Sequence, residues 1–114
     1  MKTLKVNKNW LVDEFIYREY TGKTDRHNQE LYIDPIRVEN CKIDFVSSFK
    51  RQKNSVDDDT QAIIFCFASA TTPFKLFKKR SKVEVYGEMY EIIKVFPYRE
   101  PQSKELWSIE LEVG

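Results

Sequence analysis

The sequence predicts an all-β fold: a small antiparallel β-barrel or sandwich of five to six strands, with one long polar loop and at most a short helical turn. Three observations predict it. Apolar and aromatic residues recur in runs of strand length, several with strict alternation of apolar and polar side chains. The connections between runs carry turn residues and no helical crossover, which leaves antiparallel meanders and excludes parallel α/β folds. With 114 residues, 41% apolar and 14% aromatic, the chain has the length of one domain and ample material for one core.

Residues 1–12 read as a flexible N-terminal arm and residues 13–114 as a single barrel-like domain. The arm lacks the apolar stretch of a signal peptide, and no run of apolar residues is long enough to span a membrane. A cytoplasmic site of synthesis and no membrane partner are expected. The segment Glu14 to Thr21, rich in aromatic and β-branched residues, reads as the first strand. Gly22 to Gln29 is polar, with Gly22, Asp25 and Asn28 to supply turn conformations, and reads as a hairpin loop. From Glu30 to Phe45 the chain is extended again. Leu31, Ile33, Ile36, Val38, Cys41, Ile43 and Phe45 fall mostly on alternate positions, Pro35 marks a bulge, bend or sheet edge, and the alternation breaks near Asn40.

Ser47 to Thr60 is almost wholly polar, a basic half followed by an acidic half. Loops this long in small domains tend to be functional or disordered. Gln61 to Ala68 is an apolar run of strand length, expected to be covered on both faces. In Thr71 to Ser81, Thr72 is a candidate cap and Pro73 a candidate first residue of a single helical turn. Lys82 to Tyr86 and Met89 to Phe96, joined through Gly87 and Glu88, read as a hairpin. A loop over Pro97 to Lys104 leads to a closing strand, in which Trp107, Ile109, Leu111 and Val113 alternate with Ser108, Glu110 and Glu112.

The charge balance, 19 basic against 18 acidic residues, gives no global field toward DNA or an anionic membrane. Cys41 and Cys66 have only His27 as a further soft ligand, whereas a zinc site needs about four; both read as buried, reduced core residues. His27, the one histidine, sits in a hydrophilic loop with no Ser or Cys spaced near it. Asp57, Asp58 and Asp59 lack the alternating ligands and turn glycine of a calcium loop, and three glycines make no phosphate loop. No cofactor or metal is expected. Lys75, Lys78, Lys79, Arg80 and Lys82, interleaved with Phe74 and Phe77, admit two readings. One is a phosphate-backbone track. The other is an amphipathic turn with Phe74, Leu76 and Phe77 in the core and its lysines solvated and neutralised by Glu84, Glu88 and Glu91. Lys50, Arg51 and Lys53 are open to nucleic acid, to an acidic partner or to solvent.

The order of short motifs carries a resemblance. Phe15-Ile16-Tyr17-Arg18-Glu19-Tyr20-Thr21-Gly22-Lys23, then Tyr32-Ile33-Asp34-Pro35-Ile36-Arg37-Val38-Glu39-Asn40-Cys41-Lys42-Ile43-Asp44, resemble the N-terminal half of minor capsid proteins of tailed phages and prophages of Gram-positive bacteria. Ala62-Ile63-Ile64-Phe65, Ala70-Thr71-Thr72-Pro73-Phe74, Tyr86-Gly87-Glu88-Met89-Tyr90 and Leu106-Trp107-Ser108-Ile109-Glu110-Leu111-Glu112-Val113 follow in that family's order. The family is similar to head-closure, or stopper, proteins of the head-tail connector.

The resemblance implies a non-enzymatic virion protein whose partners are the portal, adaptor and tail proteins of the same phage. It implies self-association into a ring on assembly, from a chain that can be monomeric in isolation, with non-specific contact to packaged DNA. Lys50, Arg51, Lys53, Asp57, Asp58 and Asp59 would form a channel or inter-subunit loop, and Trp10 would anchor a docking arm. Two other classes compete. A nucleic-acid-binding β-barrel would stack bases on Tyr17, Tyr32, Phe67 and Tyr90 beside the Lys75 to Lys82 cluster. A small hydrolase would depend on His27.

Overall fold

The structure, a computed structural model, describes residues 8–46 and 59–114. A single 3₁₀ turn, Lys8–Trp10, precedes the strands β1 (Asp13–Arg18), β2 (Tyr20–Thr24), β3 (Glu30–Tyr32), β4 (Ile36–Phe45), β5 (Ala62–Phe67), β6 (Lys82–Val85), β7 (Glu88–Arg99) and β8 (Leu106–Val113). Six of them close into an antiparallel barrel in the order β1-β4-β5-β8-β7-β6, while β2 and β3 form a separate ribbon. The expected barrel is therefore the fold, and the sandwich alternative falls away. β1 closes the ring by pairing with β4 on one side and β6 on the other.

Period-two alternation selects the core. Phe15 and Tyr17 on β1, Ala62, Ile64 and Cys66 on β5, Val83 and Val85 on β6, and Ile109, Leu111 and Val113 on β8 are all buried in one cluster. On β4 the alternation slips at Asn40, and the structure gives the reason. Asp13 pairs with Cys41 and Glu14 with Glu39, so Asn40 is one extra residue, a bulge with φ +62°. Asn tolerates this left-handed conformation better than most side chains. The extra residue moves the inward set from Val38 to Cys41 and Ile43. The Thr71 hydroxyl fastens the bulge, donating to the Asn40 carbonyl at 2.8 Å and accepting from the Phe67 N–H at 2.9 Å.

Four local expectations are corrected. The first strand breaks at Glu19, and β2 leaves the barrel because the Tyr20 N–H bonds to Ser81 Oγ at 2.9 Å. The run in β5 is covered on one face only: Ile63, Phe65 and Phe67 look outward and are half-buried. The helical turn after Thr72 does not form. Instead Thr72 and Glu39 exchange backbone hydrogen bonds at 2.9 and 3.0 Å, the Thr72–Pro73 peptide is cis, and the chain stays extended as Phe77 enters the barrel. β7 runs through Pro97 to Arg99, so the last loop begins at Glu100. Pro97 sits opposite Ile109. The Val113 carbonyl faces β5, and by alternation so do the backbone groups of Ile109; the pair is thus non-hydrogen-bonded and the missing Pro97 N–H costs no ladder bond.

Phe77 plugs the barrel at 1% exposure. Its ring meets Phe15 at 5.7 Å and 66° and Tyr17 at 4.9 Å and 79°, both edge-to-face. Phe74 packs against the same cluster, but Leu76, expected in the core, is 49% exposed. Extended backbone places Phe77 and Leu76 on opposite sides, and only one enters the barrel. Phe77→Ala is expected to lower stability by about 3–5 kcal/mol, and Leu76→Ala by less than about 0.5 kcal/mol. Denaturant melts with an unchanged slope check both; near-equal losses would remove the plug assignment.

Candidate functional site

The residues singled out for catalysis or metal binding do not converge. His27 is exposed at the tip of the β2–β3 ribbon, where the Asp25 carboxylate accepts the backbone N–H groups of His27 at 2.8 Å and Gln29 at 3.0 Å. Turn chemistry accounts for this Asp. Among the described residues, no group of three or more His, Cys, Asp and Glu side chains is placed to hold a metal ion. Both cysteines are buried and unbridged, as expected. Burial first, then the Asp13 and Glu14 charges, push the Cys41 thiol up to about 12, and burial pushes Cys66 well above its ordinary value.

The basic cluster folds into a set of ion pairs. Lys75 Nζ lies 3.1 Å and Lys78 Nζ 3.6 Å from the two Glu19 oxygens. Arg80 meets Glu30 at 2.6 Å and Lys82 meets Glu91 at 3.3 Å. Burial alone would raise the Glu19 carboxyl, but Lys75, the Tyr17 hydroxyl and Lys78 outweigh it and hold the group below its ordinary value. Neutralisation of the cluster is expected from the sequence and is partial; the accepting carboxylates are Glu19, Glu30 and Glu91, with Glu84 and Glu88 taking no part. Three of the four candidate stacking aromatics are also occupied, and the fourth, Phe67, lies on the outer face of β5. Tyr17 is 1% exposed. The Tyr32 hydroxyl, pushed up to about 12 by burial and by Glu30, donates to that carboxylate at 2.7 Å. Tyr90 packs against the core.

One exposed region of the barrel is apolar. Trp10 is 67% exposed and Val12 77%. Trp10 and Leu11 form one wall of a groove of about 300 Å³ whose other lining is Phe65, Phe67, Lys42 and Asp44. Leu11 is buried, so it fastens the turn to the barrel while Trp10 stands clear. The groove continues across the sheet. Phe65, Glu110 and Phe96 share one register row, and Phe67, Ser108 and Tyr98 the next. Residues directly opposite share a face, so aromatic side chains cross the outside of β5, β8 and β7. Trp107 joins them, its ring 6.2 Å from that of Phe67. Charge on this band is muted. Lys42 and Asp44 pair at 3.1 Å, and burial raises the Glu110 carboxyl above its ordinary value against a hydrogen bond from Tyr98. Contiguous exposed apolar surface of this kind marks protein contact sites.

The sequence points to Trp10 as a docking anchor and to Phe67 only as a stacking candidate for nucleic acid; Phe65, Phe96, Tyr98 and Trp107 are not marked by it as surface residues. The signal lies in Phe65 and Phe67, the outward phase of an apolar run whose length predicts cover on both faces. Of the loop candidates, Asp59 is exposed beside the buried Thr60, and Lys50, Arg51, Lys53, Asp57 and Asp58 lie outside the described residues, as do positions 1–7 of the arm. No helix among the described residues is long and apolar enough to cross a membrane.

A family model described as minor capsid protein matches residues 7–113. No curated protein matches the chain significantly. Among solved structures, the chain is similar to the solution structure of a protein from Shigella flexneri 2a. The identity is 16% and the TM-score 0.49, over 94% of this chain and 96% of that one.

The thiols give a direct check on the core. An unfolded thiol releases its proton near the ordinary value of 9.0, whereas Cys41 holds it to about 12. Above pH 9 the unfolded chain therefore binds fewer protons, and stability is expected to be complete below pH 9 and to fall as pH rises toward 12. At neutral pH both cysteines are expected to resist a thiol reagent until the chain is unfolded; rapid labelling of the native protein would contradict their burial.

Proposed function

Because the chain belongs to the minor capsid protein family, we propose that it is a subunit of the phage head-tail connector. In this reading it is a head-closure ring component that docks beneath the portal and adaptor, helps retain packaged DNA and takes part in attaching the tail. Membership of a virion structural family supports a structural rather than catalytic role, and a place in the virion.

The observation that carries the reading is Trp10, 67% exposed beside an apolar groove that its own turn helps to form. A large aromatic at the edge of an apolar, charge-muted surface is the composition of an interface anchor, where a few residues supply most of the binding energy. The band from Phe65 to Tyr98 extends that surface over three strands, giving a partner ring a continuous area to cover. Lys50, Arg51 and Lys53, with Asp57, Asp58 and Asp59, form the channel or inter-subunit loop in this proposal. One such loop per subunit multiplies weak contacts around a ring. Retention of DNA then depends on the ring and its loops together, in keeping with a chain whose net charge is only +1.

The test mixes the purified chain with the portal and adaptor proteins encoded beside it and reads mass by light scattering and shape by negative-stain microscopy. Recruitment of the chain into a ring on those particles is the expected outcome, with Trp10→Ala weakening it roughly tenfold or more and leaving the barrel's melt unchanged. A chain that ignores the particles and instead shifts single-stranded DNA would replace this reading with a nucleic-acid-binding barrel.

A further inference from the structure

The barrel is electrically polar along β6. Near the start of the strand, Lys75, Lys78, Lys79, Arg80 and Lys82 face three carboxylates, Glu19, Glu30 and Glu91, which leaves an excess of positive charge. Lys79 is exposed and makes no ion pair among the described residues. Lys78 and Lys79 stand with the half-exposed Leu76 around a cleft of about 440 Å³ whose remaining walls are Phe77, Val95 and Pro97. This end is basic at its rim and apolar within.

About 13 Å further along, at roughly 3.3 Å per residue from Lys82 to Tyr86, the charge has changed sign. Glu84 and Glu88 make no ion pair among the described residues, and Glu14 and Glu39 share one cation, Arg37. The β6–β7 turn projects from this acidic end. Tyr86 at its tip is 68% exposed and the neighbouring Met89 50%. Tyr86 and Gly87 have φ values of +49° and +84°, the geometry of a tight hairpin turn whose first central position ordinarily holds Asn, Asp or Gly. A tyrosine there is conformationally costly, and its hydroxyl is tied down by the Asp13 carboxylate. Its ring is thus presented to solvent at a fixed place.

We propose that these two ends are complementary halves of one contact between copies of this chain. The Tyr86 tip of one copy seats in the cleft formed by Leu76, Val95 and Pro97 of the next, with Glu84 and Glu88 against Lys78 and Lys79. Acidic rim meets basic rim, and an exposed aromatic fills an apolar cleft. Because the two patches differ, the contact is heterologous: it repeats head to tail and closes into a ring when the rotation per copy allows. A contact of this kind is weak alone and is reinforced when a partner ring holds neighbouring copies side by side. The proposal rests on the connector reading only for that setting.

Charge exchange in the full-length chain tests it. Lys79 and Glu88 are both exposed, so Lys79→Glu and Glu88→Lys should leave the fold intact, as circular dichroism would verify. In sedimentation equilibrium at low salt, the mass of the unaltered chain is expected to climb above the monomer with concentration and to fall back on adding salt. Each single reversal should weaken association roughly tenfold, since each sets like charges against one another. An equimolar mixture of the two variants should recover it, because every contact in an alternating array again joins opposite charges. An unaltered chain that stays monomeric throughout, or reversals that associate as well as the original, or a mixture no better than its components, would each overturn the proposal. If the unaltered chain is monomeric and Lys79→Glu abolishes only recruitment to connector particles, the cleft takes a different protein; this proposal then fails and the connector reading stands. If the charge-exchange pattern holds while the chain ignores those particles, the contact stands and the connector reading fails.

Discussion

The Tyr17 hydroxyl ties the closed barrel to the segment that plugs it. Tyr17 is buried on β1, the strand that closes the ring, and its hydroxyl accepts the Lys78 N–H at 2.9 Å, lies 3.3 Å from Ser81 Oγ and donates to Glu19 at 3.2 Å. A buried hydroxyl without partners would cost about 1–3 kcal/mol, so the barrel tolerates this one only while Phe74 to Ser81 lies against it. The dependence runs the other way as well. Residues 74–81 form no strand or helix of their own; they are held by the Phe77 ring, by Tyr17 and by the Arg80 N–H to the Ile92 carbonyl at 2.8 Å. Through Glu19 the same group gathers Lys75 and Lys78, so the lysines at the mouth of the basic cleft are positioned by the contact that seals the core.

This division explains how much could be read from the sequence. Wherever one face of a strand is buried and the other wet, alternation reports the fold directly, as in β6 and β8. The hairpin at Gly87 and the closing strand ending at Val113 were legible for that reason. Where the period is interrupted, the cause is tertiary and local pattern cannot supply it. Asn40 shows as a slip in alternation, but that it is a left-handed bulge fastened by Thr71 depends on a residue 31 positions away. The helical turn after Pro73 had reasonable local signals and lost to two non-local demands, pairing of Thr72 with Glu39 and insertion of Phe77. Likewise the cations of Lys75 to Lys82 were visible as a cluster, but Glu19 and Glu30 become their partners only after β1 and β3 are folded beside them.

The candidate surface was legible in one residue and hidden in the others. Trp10 stood out because an aromatic in a polar arm has no core of its own to enter. Phe65, Phe96 and Tyr98 did not, and Phe67 did only as a base-stacking candidate, because an aromatic in a strand is by default a core residue, and only the register rows through Glu110 and Ser108 bring these four to the outside. A barrel makes this ambiguity acute. Its small interior takes one phase of each strand, so a continuous apolar run such as Ile63-Ile64-Phe65-Cys66-Phe67 must spend half its side chains outside, where they are either shielded or offered to another molecule. Here Leu11 shields part of the outer face of β5 and leaves the remainder open.

The way the edges are handled narrows how such a chain can meet its partners. An open sheet can recruit another molecule by adding a strand to its edge. This barrel pairs each of its strands on both sides over some length, and one stretch left with a single partner strand is the distal part of β7, beyond its pairing with β6, which ends at Glu91. There the backbone groups of Val95 and Pro97 face outward, and Pro97 deprives that edge of a donor. Leu76 to Lys79 lie across the same stretch. Backbone pairing is thus discouraged along this stretch of β7, and the surfaces proposed for association are built from side chains: the aromatic band over β5, β8 and β7, and the charged, apolar-centred ends of β6. Contacts built from side chains on a closed barrel stay specific in register and polarity, whereas an exposed strand edge accepts nearly any extended chain. For the connector subunit proposed above, which would have to join a particular neighbour, that is the physical advantage of closing the sheet.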